Sequence, residues 1–191
     1  MTDPAQPVLD DPVLVQAIDL LPEWLPDQRW FAGVHPPPAR DIRVVAATRV
    51  RDADPPAWHL LVEVSHNENR ELYQVALSVH EEPEPRLEHV QLGTIDLGDG
   101  RHGHVYDALH DKSATANILD MFVGADRPEG REVGYLRFRA EPDAVIPTDE
   151  PSMVLPVEQS NTSLAFGDVA LLKVFRRIRP GSNPDVEIHD A

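Results

Sequence analysis

Glu71-Leu72-Tyr73-Gln74-Val75-Ala76-Leu77-Ser78-Val79 alternates with a period of two. Leu72, Gln74, Ala76 and Ser78 fall on one side, and Tyr73, Val75, Leu77 and Val79 on the other. That period is the mark of a β-strand. Just upstream, Trp58-His59-Leu60-Leu61-Val62-Glu63-Val64 is a second β-type run, and the polar His66-Asn67-Glu68-Asn69 between them predicts a hairpin. Ile42, Val44, Val45 and Val50 mark a third strand before it. Further toward the N-terminus the period changes. Leu14, Ala17, Ile18 and Leu21 share one helical face within Val13–Leu21, and Pro22 is expected to end that helix. Thr2–Pro12 reads as a frayed polar tail, with Asp10-Asp11 solvated. Asp27 is positioned to cap a short turn, and Pro36-Pro37-Pro38 reads as a stiff connector.

Downstream, Glu81-Glu82-Pro83-Glu84-Pro85 has charge and proline but no periodicity, which predicts a boundary between units at 1–84 and 85–191. Strands follow at 89–95 and 104–107 around the glycine turn Gly98-Asp99-Gly100. A helix is expected over Ser113–Val123, then strands near Gly134–Ala140, Val154–Val157, Ser163–Phe166 and Val169–Phe175. The fold class is α+β, with mainly antiparallel sheets and a few helices. The βαβ rhythm of a doubly wound sheet and internal repeats are both missing.

Composition narrows the function. The 191 residues include 33 acidic against 17 basic side chains, for a formal charge of −16. A chain of this length buries roughly two thirds of its unfolded surface. The charge argues against nucleic acid and against anionic membranes, both of which are bound through Lys and Arg. There is no cysteine, which excludes thiolate chemistry and cysteine-ligated zinc. No apolar stretch is long enough to span a bilayer and no basic signal-type segment opens the chain, so cytoplasm is the expected compartment. The nine histidines include His102 and His104 beside the glycine turn, a spacing that reads as exposed loop histidines ahead of a metal site. Neither a phosphate-loop motif nor a nucleophile elbow is present.

The C-terminal quarter carries the chemistry. Glu158-Gln159-Ser160-Asn161-Thr162-Ser163 is a run of small hydrogen-bonding residues between two strands, and Lys173 lies about ten residues on, inside Val169–Phe175. Turn amides and hydroxyls with a following lysine can hold phosphate oxygens. Such a lysine needs a carboxylate from the next helix, and Asn183-Pro184-Asp185-Val186-Glu187 has the start signals of one. A plain strand–turn–strand with a lysine snorkelling from its edge fits the same spacing, and spacing alone favours it.

Leu25-Pro26-Asp27-Gln28-Arg29-Trp30-Phe31-Ala32-Gly33, together with the run from Glu158 to Ser163, Leu172-Lys173-Val174-Phe175-Arg176-Arg177 and Pro180–Glu187, resembles the N-terminal cap and start of the kinase N-lobe of bacterial maltokinases. These are aminoglycoside-phosphotransferase-like kinases that convert maltose to maltose 1-phosphate for α-glucan synthesis. The resemblance implies ATP with Mg²⁺ as cofactor, Ser160, Asn161, Thr162 and Ser163 as the phosphate-facing loop, Lys173 as the phosphate-binding lysine, and Glu187 as its ion-pair partner. Arg29 and Trp30 would pack the cap against the next unit. Val34-His35 stands where the family has a basic residue. The family's His-Gly-Asp catalytic loop and metal-binding Asp-Phe-Glu segment are not in this sequence, where His102-Gly103 is followed by His104. No catalytic or metal residue is therefore assigned, and the chain alone is not expected to phosphorylate. Three roles stay open: half of a nucleotide site completed by a C-lobe, a free-standing module that binds an enzyme of α-glucan or trehalose metabolism, or a soluble domain with no ligand.

Overall fold

The alternating stretch at 71–79 forms the middle of a six-stranded sheet whose strand pairs are all antiparallel. The computed structural model describes residues 10–32, 38, 41–66, 69–116, 118–126, 129–141, 143–156, 160–179 and 181. The sheet comprises β1 (Ile42–Arg51), β2 (Ala57–His66), β3 (Asn69–His80), β4 (Gln91–Gly98) and β5 (Arg101–Asp107) in the order β1-β2-β3-β5-β4. The expected hairpin is present, with Ala57 opposite Ser78 and His66 opposite Asn69. A small hairpin follows, β6 (Arg131–Val133) and β7 (Leu136–Phe138). A second sheet comprises β8 (Ser152–Leu155), β9 (Asn161–Phe166) and β10 (Ala170–Phe175) in the order β10-β9-β8. The chain then returns to the first sheet as β11 (Arg177–Ile178), which pairs with β3.

Both faces of β3 are covered, which explains why its alternation is nearly apolar throughout. Tyr73, Val75, Leu77 and Val79 join Trp58, Leu60 and Val62 of β2 against α1 (Pro12–Ile18), α2 (Leu21–Trp24) and the aromatic segment after them. Ala76 faces the other way, into a second core with Leu109, Leu119, Leu164 and Phe166. The small sheet thus lies on the opposite face of β3 from the helices.

Several local expectations are corrected. Asp11 is not a solvated tail residue: its Oδ1 accepts from the amides of Val13 and Leu14 at 3.0 and 3.5 Å and caps α1. Pro22 does not close a helix but sits in the first turn of α2, where its missing N–H is harmless. The single helix expected over 113–123 is two short pieces, α3 (Lys112–Thr115) and a 3-10 turn at Leu119–Phe122. Gly134 is a turn and not a strand residue; its φ is +58°, and an added Cβ would strike Thr48.

Candidate functional site

Strand alternation gives the β8–β10 sheet two unlike faces. Thr162, Leu164 and Phe166 point into the core and are buried. The other face carries Leu155, Ser163 and Lys173 in one cross-strand row, with Met153, Ala165 and Leu171 in the next. Met153 and Leu171 are 58% and 62% exposed, a high value for large apolar side chains. Lys173 Nζ lies 5.5 Å from the centroid of the Phe175 ring, its neighbour on that face. The Ser163 hydroxyl is buried and has no hydrogen-bond partner among the described residues.

The residues expected to form a phosphate-facing loop are divided by this geometry. Asn161, Thr162 and Ser163 belong to strand β9, and exposed Ser160 directly precedes it. Asn161 and Ser163 share the face of Lys173. Thr162 does not, because alternation turns it inward, where its hydroxyl accepts from Arg176 Nε at 2.8 Å. Glu187 and the carboxylate-bearing segment around it lie outside the described residues.

Arg176 is the residue that sequence reasoning missed. It follows Leu172 and Val174 in phase, so alternation turns it toward the interior, and its side chain is fully buried. Nη2 pairs with Asp107 at the end of β5, Nε donates to Thr162, and the guanidinium sits 4.9 Å from the Trp30 ring. Arg176 also marks the crossing from β10 to β11, where its carbonyl accepts from the Gln74 amide at 2.8 Å. A charged residue at an inward position requires a buried partner, and that requirement was the available signal. Trp30 stacks on Trp24 and Tyr73 as well, with centroids 5.7 and 5.9 Å apart. The tryptophan of the N-terminal motif is therefore a packing residue that ties the helices to Arg176.

Two polar clusters brace this junction. Tyr73 donates to Glu71 at 2.5 Å and accepts from the Ala32 amide at 3.2 Å. Burial, with the Glu71 carboxylate beside it, pushes its hydroxyl up to about 12. Glu71 in turn pairs with Arg177 of β11. At the other end of β3, Asp111 Oδ2 accepts from Ser78 at 2.8 Å and lies 2.7 Å from His80 Nε2, while its Oδ1 caps α3. Burial opposes the charge on both groups, yet their pairing outweighs it, holding Asp111 below and His80 above the ordinary value.

Among the described residues, no group of three His, Asp or Glu side chains is arranged to hold a metal, and no helix is long and apolar enough to cross a membrane. The family model of the maltokinase N-terminal cap domain matches residues 24–111, from the last turn of α2 through all five long strands to the cap of α3. β8–β10 lie beyond the matched residues. Over residues 24–111 the chain is thus similar to the maltokinase N-terminal cap domain.

Proposed function

We propose that this chain is the cap and part of the ATP-binding lobe of a maltokinase-type kinase, acting in the cytoplasm in the ATP-dependent phosphorylation of maltose to maltose 1-phosphate. The observation that carries the reading is the cross-strand row on the outer face of the small sheet. Lys173 stands directly opposite Ser163, the third residue of β9. A lysine ammonium supplies a point charge to phosphate oxygens, and an unpartnered buried hydroxyl beside it gains a hydrogen bond when an oxygen arrives. Asn161 and Ser163 are then the nearer phosphate contacts, with Ser160 at the turn and Glu187 as the carboxylate pairing with Lys173. The magnesium that accompanies ATP would take its protein carboxylates from a C-lobe, since the described strand residues on this face, Met153, Leu155, Asn161, Ser163, Ala165, Leu171, Lys173 and Phe175, include none.

The exposed Met153 and Leu171 beside Lys173 favour a second body docking on this face. In the kinase reading that body is the C-lobe. In the alternative it is an enzyme of α-glucan or trehalose metabolism, regulated by a module without a nucleotide of its own.

Calorimetric titration of the chain with ATP–Mg²⁺, with Lys173→Ala as control, separates the two. Binding that the substitution abolishes supports the nucleotide reading. Absence of binding, or binding indifferent to Lys173, removes it and leaves the docking module.

A further inference from the structure

A strand at the edge of a sheet presents a row of backbone donors and acceptors, and folded proteins blunt such edges. Among the described residues the two larger sheets have four edges, and three of them are blunted. On β4, the Gln16 side-chain amide donates to the Asp96 carbonyl at 2.8 Å and its oxygen accepts from the Asp96 amide at 3.1 Å, standing in for a further strand. On β1, the register with β2 shifts between Val44 and Ala46 and again between Arg49 and Arg51, and the strand carries several arginines. β8 is only four residues long, and its Ser152 hydroxyl meets Thr115 Oγ1 at 2.6 Å. β10 has none of these devices. It ends the order β10-β9-β8, and its six pairs with β9 run without a register shift. Its sequence, Ala170-Leu171-Leu172-Lys173-Val174-Phe175, is apolar apart from one charge.

The open edge of β10 adjoins a half-open cavity of about 210 Å³, lined by Leu172, Lys173 and Val174. Consecutive strand residues send their side chains to opposite faces, so a cavity that touches three in a row reaches the strand's edge. That edge is the one away from β9. Beyond it the wall is mainly apolar, with Ile118, Phe122 and Phe138. The lining includes arginine and lysine but no carboxylate, on a chain whose formal charge is −16. Backbone groups in a row beside an apolar cavity are the means by which an added strand is held: main-chain hydrogen bonds supply affinity, and the cavity selects alternate side chains. We infer that the open edge of β10 is a docking site for an extended segment of another polypeptide, with apolar side chains at every second position and carboxylates between them. Once the segment is paired, its apolar side chains point the same way as Leu172 and Val174, and a carboxylate falls opposite Lys173 on the outer face. A second copy of this chain is a poor occupant, because it brings a further charge of −16. The docking needs no nucleotide and stands apart from the ATP reading.

The test is an NMR titration of the full ¹⁵N-labelled chain without nucleotide, at about 0.15 M salt so that long-range charge is screened. The probe is an end-blocked peptide of alternating valine and glutamate, cut to the length of β10. Saturable binding is expected, with amide shifts over Ala170–Phe175 and at Ile118 and Leu136. Two N-methylated forms of the peptide, one blocked at the valine amides and one at the glutamate amides, test the pairing itself. Alternate amides of a strand point to opposite edges, so one form should lose at least about tenfold in affinity while the other keeps it. Replacing the glutamates by lysine should weaken binding by about threefold, and Lys173→Glu, on the outer face, should reverse that preference. If Lys173→Glu does not fold, the N-methylated pair still decides. Sedimentation of the chain alone should show a monomer. No saturable binding, an equal response to the two N-methylated forms, shifts that avoid β10, a preference that Lys173→Glu leaves unreversed, or a dimer of the chain alone with its β10 amides protected would each overturn the docking site.

Discussion

Replacing Arg176 by Met should be the most damaging change of one side chain in the molecule. Arg176 is 0% and Asp107 2% exposed at their side chains, so the substitution leaves a carboxylate in the interior with, among the described residues, the Leu109 amide at 3.2 Å as its remaining hydrogen-bond donor. Breaking a buried ion pair on one side costs about 3–5 kcal/mol. The guanidinium over Trp30 lies within that figure, and contributes up to about 2 kcal/mol of it when fully desolvated. A loss of about 4 kcal/mol is a large share of a stability of roughly 5–15 kcal/mol. Asp107→Asn should cost about as much, because it strands the arginine. The double variant Arg176→Met/Asp107→Asn should be less damaged than the sum of the two by about 2–3 kcal/mol, since neither charge then remains. Urea unfolding of the four proteins at pH 7 measures all three values. A cost below about 1 kcal/mol for Arg176→Met, or additivity within about 0.5 kcal/mol, would refute the claim that this pair joins the two sheets.

Three further outcomes follow from other parts of the structure. His80, raised above its ordinary value of 6.5, adds stability that is fully present below that pH and is lost as the pH rises through the raised value. Asp111, lowered from 3.8, adds stability present above that pH and lost in acid. Their pairing is therefore strongest between about pH 4 and 6.5, and His80→Phe should flatten the alkaline fall in unfolding free energy measured from pH 5 to pH 9. Gly134→Ala should cost about 1–3 kcal/mol through its positive φ and the approach of Thr48, and it should speed hydrogen exchange of the Tyr135 amide, which donates to Thr48 Oγ1 at 3.3 Å. Asp11→Ala should cost about 1 kcal/mol in thermal unfolding by uncapping α1, and a neutral result would return Asp11 to the solvated tail.

The strands were legible wherever one face of the sheet alternates against a core. Trp58–Val64 and Glu71–Val79 show this, and their pairing through a polar turn could be read directly. The helical segments were harder for two reasons. Pro22 reads the same at the end of one helix as in the first turn of the next, and only the backbone distinguishes them. The apolar spacing over 113–123 promises one helix, but Asp111 as cap gives only a four-residue α3 before the chain tightens into a 3-10 turn. Such capping and packing effects override the pattern. At the candidate site, strand alternation places Lys173 and Ser163 on one face and Thr162 on the other. Reading 160–163 as a loop hides the alternation that turns Thr162 away from Lys173, whereas reading it as a strand exposes it at once.

The same alternation explains why the cap and the small sheet work as one unit. β3 gives its free edge to two strands from different parts of the chain, β5 at Leu77–His80 and β11 at Leu72–Tyr73. Between them, the Ala76 carbonyl accepts from the Ala108 amide and the Gln74 amide donates to the Arg176 carbonyl. Arg176, the residue between β10 and β11 and three positions after Lys173, is therefore held by backbone as well as by charge. A shift of β10 as Lys173 meets a ligand would have to disturb the Gln74–Arg176 bond, the Asp107 pair and the Trp30 stack together. Because these contacts are buried and share partners, they respond as a block. In the proposed kinase reading, that coupling gives the cap a physical role: it holds the strand that carries Lys173 in position from behind.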